Sequence, residues 1–336
     1  VRAGVARFAE SPYMGPMSEP FTMGFLGPEL LPPADPLVAN FPGIAGLPNR
    51  MLRLAGLALA EAVQLPAVKK PIPVFLGLPE RPEPSRDFLN LLIAQSEIEI
   101  DLAASRLYPK GRAAGIFALK EAIDTLCAGK HEFVIVGGVD SYWDNGLLQT
   151  LEIEGRLKTG INPDGYIPGE GAAFLLLARP EFANAQKLAT LGIIGNTGFG
   201  FEKGHRYSQE PYRGDGLAET LADVFSRYDS KDRIRTIYTG LNGESYCGKE
   251  WGVAFIRNSN QFSDDAATEH PADCLGDTGA AMAPIMAALS VIAQQARYKN
   301  GPCLIWCTSD HGHCAACVVH SQAGPVPPSQ PHANPR

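Results

Sequence analysis

The chain has 336 residues, 45% hydrophobic and 19% charged, a balance that supports a sizeable buried core and excludes disorder over most of its length. Its 29 Lys plus Arg against 36 Asp plus Glu give a net charge of −7, with no basic run interleaved with aromatics, which excludes the usual footprint of a nucleic-acid partner. The longest nearly uninterrupted apolar stretch, residues 280–293, is too short for a bilayer and reads as a buried helix rather than a membrane span. The seven cysteines are an odd number with no signal-peptide pattern before them, and they read as reduced thiols of a cytoplasmic protein.

Residues 1–66 are rich in Pro, Gly and Met and mostly irregular, with one amphipathic helix expected over residues 50–63, where Met51, Leu54, Ala55, Ala58, Leu59 and Ala62 repeat at helical spacing. Residues 72–78 read as a buried strand and residues 86–94 as a helix. Residues 111–127, GRAAGIFALKEAIDTLC, open on small residues and continue with Ile116, Phe117, Leu119, Ile123 and Leu126, an apolar helix that Gly129 ends. Residues 133–136 form a strand running into Gly137 and Gly138, and residues 171–178 another, entered through Pro168, Gly169 and Glu170; both read as fully buried.

The second part of the chain repeats this order. Residues 234–241 parallel the strand ending at Leu78, and each is followed by a polar turn with a glutamate, Glu80 or Glu244. Residues 276–294 parallel residues 111–127 as a helix opened by small residues, residues 302–307 parallel the FVIVGG strand, and residues 315–320 parallel the FLLLA strand. A helix apolar nearly all round must be covered on every side, so the two copies are expected to form an α/β layered sandwich with these helices in the middle. The Pro-rich tail, residues 321–336, is expected to be disordered.

The buried helix followed by Gly129 and Val136-Gly137-Gly138, the segment GYIPGEGAAFLLL at residues 165–177 and the segment GDTGAA at residues 276–281 together resemble the β-ketoacyl synthases of the thiolase-like superfamily. The resemblance implies a five-layer α-β-α-β-α sandwich of two duplicated halves, here residues 1–185 and 186–320. The start VRAGVARF is similar to the family segment that follows its first strand and helix, which implies that this first strand is missing. The implied partners are acyl carrier protein or acyl-CoA and a homodimer or a heterodimer with a related subunit, with no cofactor and no metal.

Members of the family join acyl units through a Cys-His-His set: a thiolate at a helix N-terminus takes the acyl group, and two histidines polarise the malonyl thioester. Carried over position by position, the resemblance places Arg112 where the nucleophile stands, Leu241 at the first histidine and Asp277 at the second, with Ala272 near an expected lysine. The closing glycine-rich loop corresponds to SDHGHCAA, which keeps Gly312. Arg112 is expected to contact Asp277 across the central cavity, with Asn242, Glu244 and Thr278 lining the rest. Gly137, Gly138, Gly169 and Gly171 are expected to hold the structural loops, and Glu170 to brace them rather than react. Three functions stay open: an accessory acyl-thioester-binding or scaffold subunit without condensing activity, an acyltransferase of altered mechanism using Arg112, Glu244 and Asp277, and a purely structural interaction protein.

Other groupings have plainer readings. Cys307, His311, His313, Cys314 and Cys317 have the donor types zinc prefers, but Cys314 and Cys317 stand at a separation that points their side chains to opposite faces of a strand. Cys247 and Cys274 are the remaining nucleophile candidates and have no histidine nearby in sequence to serve as base. The glycines of residues 195–200, GNTGFG, are expected in a flexible loop after a strand over residues 189–194, without the helix a phosphate cradle needs. Residues 206–213, with Tyr207 and Tyr212, are expected as a polar loop at an entrance.

Overall fold

The structure, a computed structural model, describes residues 1–15, 18–64, 71–81 and 87–321. Its elements begin with strands β1 (Ala9–Met14) and β2 (Pro20–Met23), helices α1 (Pro36–Asn40) and α2 (Leu47–Ala62), β3 (Val74–Leu78), α3 (Phe88–Ser96) and β4 (Arg106–Pro109). There follow α4 (Ala114–Cys127), β5 (Phe133–Ser141), α5 (Asn145–Ile153), β6 (Glu170–Ala178), α6 (Pro180–Ala185), β7 (Gly192–Phe201) and α7 (Asp215–Ser226). The chain continues with β8 (Ile234–Thr239), α8 (Ser245–Arg257), β9 (Phe262–Glu269), α9 (Ala272–Leu275), α10 (Met282–Gln295), β10 (Cys303–Thr308) and β11 (His313–Ser321). The expected helix starting at residue 86 is α3, beginning at Phe88, and residue 86 itself lies outside the described residues. Of the Pro-rich tail, residues 322–336 also lie outside them.

Apart from the small β1-β2 hairpin, the described residues form two sheets, with strand orders β4-β3-β5-β6 and β9-β8-β10-β11-β7. In each, the first three strands are parallel and the fourth returns antiparallel, β6 on β5 and β11 on β10. The sheets are therefore copies of one plan, with β7 added beyond β11. Helices α4 and α10 lie between them. Alternate residues sort the layers: Val134, Val136, Ile305, Cys307, Cys317 and Val319 face the central helices. Their neighbours Ile135 and Val139 face α2 and α3, and Leu304, Trp306 and Val318 face α7 and α8. The molecule is thus the five-layer thiolase-like sandwich, α2/α3, sheet, α4/α10, sheet, α7/α8.

Small residues allow the central layer to close. A Cβ on Gly115 of α4 would come within 2.5 Å of the Pro284 ring of α10, so the two buried helices cross where only glycine fits. Each helix is entered through a short 3-10 turn, Gly111–Ala113 before α4 and Gly279–Ala281 before α10, so both begin later than the periodicity predicts. Both turns open on a left-handed glycine, Gly111 at φ 57° and Gly279 at φ 51°.

Two expectations are corrected. The GNTGFG segment is not a loop: it is most of β7, and its glycines let α7 lie flush on the strand, since a Cβ on Gly198 or Gly200 would meet the backbone oxygens of Thr220 or Gly216 at 2.5 Å. Nor is β6 fully buried like β5. Every residue of β6 is half-buried, and among the described residues it is an edge strand, whereas β11 is covered by β7.

Candidate functional site

The loops that leave the C-terminal ends of β8 and β10 meet the two 3-10 turns at one polar centre. Arg112 sits in the turn before α4, and Asp277 between α9 and the turn before α10. Asn242 and Glu244 lie in the turn between β8 and α8, and Asp310 lies between β10 and β11. Arg156 follows α5, and Arg206 reaches in from the loop between β7 and α7.

These side chains form one ion-pair network. Arg112 donates from Nε to Asp277 Oδ2 at 2.6 Å and from Nη1 to Asp310 Oδ1 at 2.9 Å. Its Nη2 lies 2.5 Å from Asp277 Oδ2 as a charge contact without hydrogen-bond alignment. Arg156 grips Glu244 in bidentate fashion, at 3.1 and 2.9 Å, and donates to both oxygens of Asp310 at 2.7 and 3.0 Å. Arg206 adds a contact to Glu244 at 2.7 Å. Asn242 Nδ2 joins the two ends, donating to Asp277 at 2.9 Å and to Glu244 at 3.1 Å. Beneath them the Tyr166 ring lies 5.6 Å from the Arg112 guanidinium and 5.3 Å from that of Arg156.

The network balances three guanidiniums with three carboxylates in a largely buried place, where an unpaired charge would be costly. Arg112 and Arg156 side chains are 6% and 2% exposed, Asp277 not at all. Burial alone would lift the Asp277 and Asp310 carboxyls, but Arg112 overrides it at both, joined by Arg156 at Asp310, and holds them below the usual carboxylate range. Burial likewise opposes the charge on Arg112 and Arg156, and the facing carboxylates, Asp310 at both and Asp277 at Arg112, more than restore it. Each charge of the set is held by at least one opposite charge.

A cleft of about 110 Å³ opens beside the network, lined by Arg112, Arg81, Asp140, Tyr142, Arg156 and Asp310 among others. Asp140, buried, accepts from the Ala280 and Ser141 amides at 3.0 and 2.8 Å, and burial raises its carboxyl to about 6 despite nearby Arg81.

Of the residues singled out from sequence, Arg112, Asp277, Asn242 and Glu244 come together, with Glu244 held by Arg156 and Arg206 rather than by Arg112. Among these four only Arg112 borders the cleft. Thr278 turns away to the Met282 sulfur at 3.7 Å, Gly312 is a left-handed turn residue at φ 89°, and Leu241 packs among the apolar residues under α7 and α8. Glu170 accepts two hydrogen bonds from Arg50 at 2.6 Å, one from the Leu26 amide at 2.9 Å and one from Ser141 at 2.6 Å, a fully occupied brace. Gly137 and Gly138 lie against the Phe174 ring and the Ala280 carbonyl, Gly171 beside Ile285, and Gly169 donates to the Asp277 carbonyl at 2.9 Å.

Arg156, Asp310 and Tyr166 carry no sequence signal that marks them as members, although Asp310 stands within SDHGHCAA and Tyr166 within GYIPGEG. Arg206 belongs to the loop expected at an entrance. The cysteine and histidine patch diverges: Cys307 and Cys317 face the central layer and Cys314 the outer one, while His311 pairs with Glu80 at 3.2 Å and His313 with Lys110. Among the described residues no group of three or more His, Cys, Asp or Glu could hold a metal ion. Cys247 and Cys274 are both buried, and burial, with Glu244 adding to it, pushes the Cys247 thiol far above the range of a reactive thiolate.

No family model matches the chain, and a search of curated proteins finds no match. Solved structures do match. The ketosynthase from module 6 of the bacillaene synthase of Bacillus subtilis 168 superposes with a TM-score of 0.67 at 15% identity, over 81% of this chain and 59% of that one. The ishigamide ketosynthase/chain length factor gives 0.59 at 14% identity, covering 75% of this chain and 76% of that one. A type II polyketide ketosynthase bound to the hexaketide, in complex with its acyl-carrier protein, gives 0.63 at 12% identity, over 81% and 85%. The chain spans 59% of the bacillaene ketosynthase it matches. Layer order, duplicated sheets and these superpositions agree on one statement: this chain has the thiolase-like fold of these ketosynthases.

Proposed function

We propose that the chain is a ketosynthase-like subunit that does not condense acyl units and instead serves as an accessory scaffold beside an active subunit or an acyl carrier protein. The observation that carries this reading is the network itself. At the positions that resemble the family's catalytic set stand Arg112, Leu241 and Asp277, and the two charged ones are spent on each other and on Asp310, with Arg156 and Glu244 completing the pairing. The remaining cleft, about 110 Å³, is far below the roughly 300 Å³ at which pockets for organic ligands begin, so scaffold is favoured over acyl-thioester binding.

Intact-protein mass spectrometry after incubation with acyl and malonyl thioesters, on coenzyme A and on acyl carrier protein, tests the reading. The expected result is no adduct and no loss of thioester while the protein stays folded. A stoichiometric acyl adduct on any cysteine overturns it.

A further inference from the structure

The three arginines of the polar centre are not held alike. Arg112 and Arg156 side chains are 6% and 2% exposed, and each spans two carboxylates through aligned hydrogen bonds. Arg206 is 22% exposed, touches Glu244 at 2.7 Å and reaches Asp310 only at 3.9 Å, and its buried Nε has no hydrogen-bond partner among the described residues. Its guanidinium lies over the Tyr246 ring, 4.8 Å from the centroid. Two carboxylates and an aromatic face together form a seat for a planar cation.

Arg206 also arrives differently. Arg112 belongs to the turn that opens the buried helix α4, and the backbone of Arg156 is pinned on both sides, its amide on the Leu151 carbonyl and its carbonyl on the Tyr166 amide, each at 2.9 Å. Arg206 rides on the loop between β7 and α7, which is anchored at its ends. The buried Glu202 carboxylate accepts from the Gly204 amide at 3.1 Å and from the Gly216 amide at 3.0 Å, and Tyr246 donates to the Gly204 carbonyl at 3.4 Å. Between these anchors Tyr207, Gln209, Glu210, Pro211 and Arg213 are exposed, with the Tyr207 hydroxyl on Glu154 at 3.1 Å. With Arg206 withdrawn, the network keeps two guanidiniums against three carboxylates, short of one positive charge. The seat is therefore built into the fold, whereas its present occupant is delivered by a surface loop.

We propose that Glu244, Asp310 and the Tyr246 ring form a receptor for a guanidinium group, which Arg206 fills as a tethered stand-in and from which a guanidinium-bearing ligand displaces it. The missing single charge selects a monocation, and the paired carboxylates with the ring face select a planar, forked one over an ammonium. The source of that group is an arginine side chain of a partner polypeptide or a small free guanidinium compound. The inference stands whether or not the chain condenses acyl units.

Thermal unfolding of the 336-residue chain, of Arg206→Ala and of Arg206→Lys, with and without methylguanidinium, tests this. With the seat emptied, methylguanidinium at about 20 mM is expected to raise the midpoint of Arg206→Ala by roughly 2 °C over sodium chloride at the same concentration. In the parent the tethered arginine competes at a millimolar effective concentration, so the rise is expected to be at least about fivefold smaller. Arg206→Lys, which keeps the charge and loses the planar fork, is expected to fall between the two, and it remains readable against the parent where the alanine variant does not fold. N-acetyl-arginine methylamide is the second probe: a rise equal to that with methylguanidinium assigns the seat to a polypeptide arginine, and a rise with methylguanidinium alone assigns it to a small free compound. No rise in either variant, equal rises in variant and parent, or a rise that sodium chloride reproduces overturns the proposal.

Discussion

Two carboxylates at the start of α8 and two turns into it are housed in opposite ways. Glu244, at the N-cap position, receives the bidentate Arg156 and a contact from Arg206. Glu250, two turns on and 1% exposed, meets the Thr308 hydroxyl at 2.6 Å and the Cys314 thiol at 3.8 Å, and the charge that acts on it is another carboxylate, Glu202. Burial raises its carboxyl to about 7, with Glu202 adding to the rise. The same helix therefore contributes to a charge-balanced centre at one end and to a pocket that tolerates its acid by keeping it protonated. A charge buried with counter-charges resists pH change, and a charge buried without them becomes sensitive to it.

The balanced centre is where substitution does most. Asp277→Ala leaves Arg112 buried with Asp310 alone, and a loss of about 3–5 kcal/mol is expected from urea unfolding at pH 7. Arg112→Met combined with Asp277→Leu removes both charges, and the expected loss falls to about 1 kcal/mol or less. Additive single and double losses would mean that the two groups do not act as a pair. Because the Asp277 and Asp310 carboxyls sit below the usual range, the network's contribution is complete above about pH 4 and is lost only as pH falls further, through their folded-state values.

The unbalanced pocket should respond in a different window. The unfolded chain releases the Glu250 proton near the ordinary value of 4.5, while the folded chain holds it to about 7. Stability therefore falls as pH rises from about 4.5 to about 7 and stays reduced above that. Glu250→Gln, which keeps the shape and an oxygen for Thr308, is expected to remove this slope and to stabilise the protein at pH 8 by on the order of 2 kcal/mol, with little change at pH 4.5. Parallel unfolding curves for variant and parent from pH 4.5 to 8 would show that a cation shields Glu250 after all.

This contrast also explains what was legible in the sequence. The layers were, because a helix apolar all round such as α10 and strands apolar on both faces such as β5 allow few arrangements, and because the chain states the plan twice. The approach of Arg112 to Asp277 was legible through the resemblance, which puts both positions at one centre. Arg156, Asp310 and Arg206 were not, since each comes from a different loop and no periodicity links loops that converge only after folding. β7 was misread for a related reason: its glycines look like a loop until α7 is laid against them, and only that contact turns small size into a packing requirement.

The smallest effect concerns His313, beside the cleft loop. Its imidazole is held down to about 4, first by burial and then by Lys110, whose ammonium lies 3.2 Å from Nε2. The unfolded chain takes up this proton near 6.5, so the group costs stability as pH falls from about 6.5 to about 4. Lys110→Met removes the cation and leaves the burial, so the His313 midpoint, followed by NMR titration, is expected to rise without reaching 6.5. The change in stability at pH 5 should stay below about 1 kcal/mol, since the pair is only partly buried. An unmoved midpoint would assign the depression to burial and to the neighbouring His311 and His205. His313, at the start of β11, would then answer to pH without help from Lys110 and apart from the arginine network that Asp310 closes.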